Sequence, residues 1–326
     1  MDTLSDILSL LRPLDYMSAG LDAGGRWSVG FPGPPHTIKC GAVVSGRCWL
    51  SVDGVPEAAR LEPGHCFLLP GGRPFRLASD PVLPPVAAGN VFASARRGGV
   101  VTWNGGGDVL LVSSRFALAQ DQAPVLLGLL PPLVHIRAPL SGDPLRRSVE
   151  QMMAELREPQ PGGALVLRHL AHMMLVQALR LSLNEEPEGA AGWLAGLADK
   201  RLRGAINAVH EDPARRWTLR DLAGEAGMSR SAFALAFRSA VGTAPMEYLT
   251  RWRMRLAADR LARTQDPVSG IALSLGYESE SAFGTAFKRV MGVSPRQYGR
   301  GRLPVLPGDG APLDPLQKSP LLSERA

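Results

Sequence analysis

The chain predicts two kinds of fold in series: a small β-barrel or jelly roll with appended helices, then an all-α module of two helix-turn-helix units. Three observations carry this. Short apolar runs punctuated by Gly and Pro fill residues 20–115, a β pattern with turns. From about residue 124 the apolar spacing changes to three and four, the period of a helix. In the last third, one helix-turn-helix pattern occurs twice, about 50 residues apart. At 326 residues, 45% apolar and 20% charged, the chain can build two ordinary domains, each with its own core. The expected division is 1–123 for the barrel, 124–192 for a helical segment ending in a linker, 193–300 for the repeat and 301–326 for a flexible Pro-rich tail.

In the first part, strands are expected over 27–31, 38–44, 48–52, 66–69, 91–93 and 109–112. Asp53-Gly54 reads as a hairpin turn, and turns at 61–64 and 69–72 flank the strand at 66–69. Residues 81–85 and 98–107 read as loops. Such a barrel either encloses a ligand or serves as a packed dimerisation scaffold, and the residues alone leave both open. His36, His65 and Cys66 are the candidates for starting a transition-metal site, but they lack a tight ligand spacing, so no metal or cofactor is expected. Cys40, Cys48 and Cys66 read as small buried hydrophobes.

Two amphipathic helices follow. One, over 144–157, sets Leu145, Val149, Met152, Met153 and Leu156 on one face; the other, over 164–183, does so with Leu167, Leu170, Ala171, Met174, Leu175 and Ala178. They are expected to pack on the barrel or a partner subunit. An apolar stretch at 125–130 precedes them, and 184–192 is the linker.

The repeat opens with a helix over 199–210. Thr218 caps a helix over 219–226 with Asp221 as the capping-box acid, and Gly227 turns the chain. Ser229 caps the next helix, in which Phe233 and Phe237 lie four apart; Gly242 ends it. A long helix over 245–263, opened by Pro245, leads to the second copy: a helix over 268–275, a turn at Gly276, a cap at Glu278 or Ser279, Phe283 and Phe287, then Gly292 and a short helix holding Tyr298. Its core positions are Leu222, Ala223, Gly227, Phe233 and Phe237 in the first copy, and Ile271, Ala272, Gly276, Phe283 and Phe287 in the second.

Charge follows the repeat. Residues 199–326 hold 20 Lys+Arg against 13 Asp+Glu, a net of +7, while the first 198 residues hold 16 against 17. A polyanion-binding surface requires that distribution. Candidate base contacts lie early on each second helix: Arg230, Ser231, Ala234 and Arg238, then Glu280, Ser281, Gly284, Thr285 and Lys288. Arg251, Arg253, Lys288, Arg289 and Arg296 are candidates for phosphates. A helical adaptor with solvated arginines would share some of this pattern, though not the duplicated caps, glycines and Pro–Tyr pairs together.

Asp2 and Asp6 precede the first apolar stretch and no basic run does, so no signal peptide is expected; no 18-residue apolar run reads as a membrane span. Three cysteines and no leader predict a cytoplasmic protein. No nucleophile–base arrangement or phosphate loop appears, so the chain is not expected to be an enzyme.

Gly276-Tyr277-Glu278-Ser279-Glu280-Ser281-Ala282-Phe283, with Phe287-Lys288-Arg289 and Gly292-Val293-Ser294-Pro295-Arg296-Gln297-Tyr298, resembles the signature of the AraC/XylS family of bacterial transcription regulators. The resemblance covers about 100 residues, 199–300. It implies double-stranded promoter DNA as partner, RNA polymerase as a second, a homodimer, and a separate regulatory domain. The first half resembles the cupin-type regulatory domain of one branch of that family, through Gly46-Arg47-Cys48-Trp49-Leu50, Leu61-Glu62-Pro63-Gly64-His65, Leu68-Leu69-Pro70 and Leu130-Pro131-Pro132-Leu133. Metal-holding cupins use two close histidines, a glutamate and a later histidine. Ile38-Lys39-Cys40 and Pro74-Phe75 stand where such ligands would be sought, and His65 stands where this branch usually has an acid. These departures favour an organic effector, or none, over a metal. A transcription regulator under small-molecule control is the leading expectation; a cupin-like metal-dependent enzyme with a DNA-binding appendage and a constitutive architectural DNA-binding protein are the alternatives.

Overall fold

A computed structural model describes residues 2–10, 13–93, 99–118, 130–137, 144–183 and 192–301. Residues 184–191 of the expected linker at 184–192, residues 125–129 of the apolar stretch at 125–130 and the tail from 302 lie outside the described residues.

Among the described residues a short helix, α1 (Thr3–Leu10), precedes eleven strands: β1 (Pro13–Ala23), β2 (Ser28–Phe31), β3 (Thr37–Ser45), β4 (Cys48–Val52), β5 (Ala59–Leu61), β6 (Cys66–Pro70), β7 (Phe75–Ala78), β8 (Val86–Ala87), β9 (Val100–Trp103), β10 (Val109–Leu118) and β11 (Val134–Ile136). A one-turn helix, α2 (Ala88–Val91), sits between β8 and β9. Asp53-Gly54 does turn the chain, and β4 pairs antiparallel with β5, Cys48 opposite Leu61.

The barrel expectation fails. Among the described residues the strands form two separate sheets, a six-stranded one ordered β11-β6-β3-β10-β1-β9 and a five-stranded one ordered β5-β4-β7-β2-β8, with open edges instead of a closed ring. The reason lies in the side chains of the larger sheet, which are apolar on both faces. Along β6, Cys66 and Leu68 enter one core while Phe67 and Leu69 enter another; along β10, Val112, Phe116 and Leu118 part from Val109 and Leu111 in the same way. A sheet buried on both sides needs a second sheet on one face and helices on the other. The five-stranded sheet covers the inner face. The helices α3 (Pro144–Arg157) and α4 (Gly163–Ser182) cover the outer face with the apolar residues expected of them, Leu167 only in part. The expected strand at 91–93 is instead the end of α2 and the turn after it, and part of the expected loop at 98–107 is β9.

The remaining helices are α5 (Trp193–Ala198), α6 (Lys200–Glu211), α7 (Leu219–Glu225), α8 (Arg230–Val241), α9 (Pro245–Arg263), α10 (Val268–Ser274), α11 (Glu280–Met291) and α12 (Pro295–Gly299). Their ends are chemically specified. Thr218 and Asp221 form a reciprocal capping box, Ser229 accepts from Ala232 N–H, and Ser279 accepts from Ala282 N–H. Ser294 and Gln297 form a second capping box, and Gly242 and Gly292 end α8 and α11 in the left-handed region.

Two cores divide these helices. Tyr248, Leu249 and Trp252, on the first half of α9, join Leu222, Phe233 and Phe237 in the core that also holds α3, α4 and the outer face of the larger sheet. Met254, Ala257, Ala258 and Leu261, on its second half, join Ile271, Phe283, Phe287 and Tyr298 in another. Helix α1 belongs to the first: Leu4, Ile7 and Leu10 are buried there, and the Thr3 hydroxyl reaches Asn207 Oδ1 on α6 at 2.7 Å.

His210, on α6, stacks on Trp252 with ring centroids 4.0 Å apart and shares a 2.9 Å hydrogen bond between Nε2 and the Tyr248 hydroxyl. Burial lowers its pKa from 6.5 to about 3. The ring is therefore neutral in the native state, and below about pH 6.5 the unfolded chain takes up a proton that the native one does not. Stability is expected to fall as pH drops from 6.5 toward 3, by roughly 2–3 kcal/mol at about pH 4. Urea unfolding at pH 7 and pH 4 checks this. His210→Phe should shrink the difference by that amount, while His135, whose pKa burial lowers to about 4, keeps contributing to the remainder; an unchanged difference would place the acid sensitivity elsewhere.

Candidate nucleic-acid interface

Each helix-turn-helix unit presents the exposed side of its second helix. On α8, Arg230, Ser231 and Arg238 are exposed and Ala234 is half-buried; on α11, Glu280, Ser281, Thr285 and Lys288 are exposed and Gly284 is half-buried. Phe233 and Phe237, and Phe283 and Phe287, turn the opposite way into the cores. The match at an offset of 50 is residue by residue: Ser231 with Ser281, Arg238 with Lys288, Ala234 with Gly284. Sequence reasoning missed one residue, Leu235, which is 75% exposed on α8. The signal was present, because Leu235 stands at the offset from Thr285. It shares a face with Ser231 and Arg238, four residues before and three after.

Charges on the two helices differ in their engagement. Arg230, Arg238 and Lys288 have no acid partner among the described residues. Glu280 is paired with Arg296 at 2.9 Å, and Glu247 on α9 faces both Arg251, at 3.1 Å, and Arg289, at 3.7 Å. These pairs are exposed and weak, so Arg251, Arg289 and Arg296 can exchange a carboxylate for a phosphate at small cost.

Arg253 is placed differently from its expected phosphate role. Its guanidinium turns inward and donates from Nε to the Pro213 carbonyl at 2.6 Å and from Nη2 to the Arg215 carbonyl at 2.8 Å, over the ring of Tyr277. Desolvation draws its pKa down. Gly276 meets the same loop. Its φ is +79°, and a Cβ there would collide with the Ala214 carbonyl oxygen, so conformation and space both require glycine. Arg216 adds a 2.6 Å ion pair to Glu278 across this joint. The loop between α6 and α7 thus holds the turn of the second unit. Arg255, also on α9, is buried.

The metal candidates do not converge. His36 precedes β3 and His65 and Cys66 lie at its other end, where Ala42 pairs with Cys66, about 20 Å away at the rise of a strand. His65 instead meets His135 on β11, ring nitrogens 3.2 Å apart. Among the described residues no three His, Cys, Asp or Glu side chains cluster as metal ligands. No described helix is long and apolar enough to cross a membrane.

Two family models match successive parts of the chain. A family model described as cupin matches residues 2–184, and one described as a helix-turn-helix domain matches 222–301. A putative AraC-like transcription regulator of Streptomyces lividans is 44% identical over 299 residues, 91% of this chain and 98% of that one. One of Streptomyces antibioticus is 42% identical over 308 residues, 93% of this chain and all of that one. The HTH-type transcriptional regulator MtrA of Neisseria gonorrhoeae is 30% identical over 307 residues, 90% and 97% of the two chains. With a cupin domain fused to two helix-turn-helix units that face outward through the same positions, the chain belongs to the AraC/XylS-like family and is a sequence-specific DNA-binding transcriptional regulator.

Proposed function

We propose that α8 and α11 enter successive major-groove segments of one promoter duplex, and that a small organic molecule in the N-terminal domain sets how well they do so. The single observation carrying the groove reading is the duplicated exposed face, Ser231, Leu235 and Arg238 against Ser281, Thr285 and Lys288, each including one cation without an acid partner among the described residues. The 19 residues of α9 span about 28 Å, close to the roughly 34 Å of one duplex turn. Arg230 reads guanine, Leu235 meets a thymine methyl, and Arg238 and Lys288 hold phosphates or adjacent base edges. In this reading the protein acts by binding and not by catalysis, as a cytoplasmic homodimer at the nucleoid that contacts RNA polymerase.

The test starts from genomic fragments retained by the purified protein, with and without cell extract, and then measures affinity by fluorescence anisotropy. Arg230→Ala and Leu235→Ala are each expected to cost about 1–3 kcal/mol on the cognate segment and little on unrelated DNA. Arg238→Gln is expected to weaken all duplexes alike and to lower the salt slope by about 0.9. Equal affinity of the unaltered protein for unrelated duplexes would replace the reading with that of an architectural protein.

A further inference from the structure

The inner face of the larger sheet changes character at one end. Leu111, Val43 and Phe67 give way along the same face to Arg115 on β10 and Lys39 on β3, which stand directly opposite each other in the antiparallel register. Like charges in that arrangement destabilise a sheet. Yet among the described residues no acid pairs with either; the ionisable groups that act on Lys39 are Arg115, which repels it, and the Cys40 thiol. Asp15, the acid nearest in register, lies opposite Ala117 and accepts from the Tyr16 backbone N–H.

Across the gap the smaller sheet offers aromatic rings. Phe31 on β2 and Phe75 on β7 stack with centroids 4.5 Å apart and planes within 4°, and Phe92 lies 6.1 Å from Phe31. Lys39 Nζ stands 5.7 Å from the Phe31 centroid, which places the cation between the sheets. Lys39, Arg115, Phe31 and Phe92 are all half-buried, so this mouth of the sandwich is open to solvent. Two facing cations carry a charge of +2, which a phosphate monoester of about −1.5 to −2 balances where a monocarboxylate does not. Arg matches phosphate geometry with paired N–H donors, and Lys adds a point charge.

We propose that the mouth between Lys39, Arg115 and the Phe31–Phe75–Phe92 wall is a binding site for a small phosphate monoester with a planar apolar body. The phosphate sits between the two cations and the planar body lies against Phe31 and Phe92. This deepens the effector reading above by naming the site and the ligand class.

Titration calorimetry on the full chain tests it, with phenyl phosphate as the probe. Inorganic phosphate, which lacks the ring, phenol, which lacks the charge, and benzoate, which carries one charge, are the controls. Phenyl phosphate is expected to bind at least roughly tenfold tighter than each control, and Lys39→Met and Arg115→Met should each weaken it by roughly tenfold or more. Neither variant should lower the melting temperature, because each removes a like-charge contact. No binding of phenyl phosphate, equal binding of a control, or full binding by both variants would overturn the site. Promoter affinity separates the two readings. Phenyl phosphate binding that leaves promoter affinity unchanged supports the site and overturns the effector role. A promoter response to cell extract without any phenyl phosphate binding does the reverse.

Discussion

Phe283→Ala is expected to melt the second helix-turn-helix unit while leaving the rest of the protein folded. The ring is fully buried, 5.5 Å from Tyr277 and 5.7 Å from Phe287, and its core is closed by Met254, Ile271 and Leu275. Truncating a phenylalanine in such a setting costs about 3–5 kcal/mol, a large share of what a unit this small can hold. Because this core is distinct from the one containing Phe233, calorimetry should show a second, earlier transition for Phe283→Ala. Phe233→Ala, of similar cost, should instead shift the main transition. Affinity for the promoter segment should fall toward the non-specific level in Phe283→Ala, since one reader alone remains. Identical single transitions in the two variants would show that the cores melt as one.

Arg253→Met should separate the readers without touching either. The substitution leaves the Pro213 and Arg215 carbonyls without their charged donor and removes the cation from the Tyr277 ring. Hydrogen bonds to a charged group are worth about 1.5–3 kcal/mol each and are not additive here, so a loss of about 2–4 kcal/mol is expected. Arg253→Lys should rescue little, because one ammonium cannot reach both carbonyls in the geometry of a planar fork. Affinity for the two-segment promoter site should drop at least roughly tenfold, while its salt slope stays that of the unaltered protein. A slope lowered by about one, with stability unchanged, would return Arg253 to a phosphate.

What the sequence made legible was local. Capping residues, turn glycines and the three- and four-residue spacing placed α3, α9 and the starts of α8 and α11 within a residue, because each of those signals acts within one helical turn. What it hid was determined by partners distant in the chain. β1 carries Asp15, Ser18, Gly20 and Asp22 and reads as polar, yet it pairs with β10 over ten registered positions. The two-sheet arrangement follows from which faces α3 and α4 cover, and no short window of residues reveals that. The same holds in the helix-turn-helix units. The exposed positions were read from periodicity, whereas the inward turn of Arg253 depends on a loop 38 to 40 residues earlier.

The boundary between the two cores falls partway along α9, between Trp252 and Met254. Hybrid regulators can therefore be spliced there. The downstream reader of a relative, brought in with the second half of the rod, carries its own interior and needs only the glycine and arginine that dock it. The upstream reader offers no such seam, since its interior is continuous with the N-terminal half through α1 and α5. Operator preference can thus drift one half-site at a time, with the downstream half freer to change.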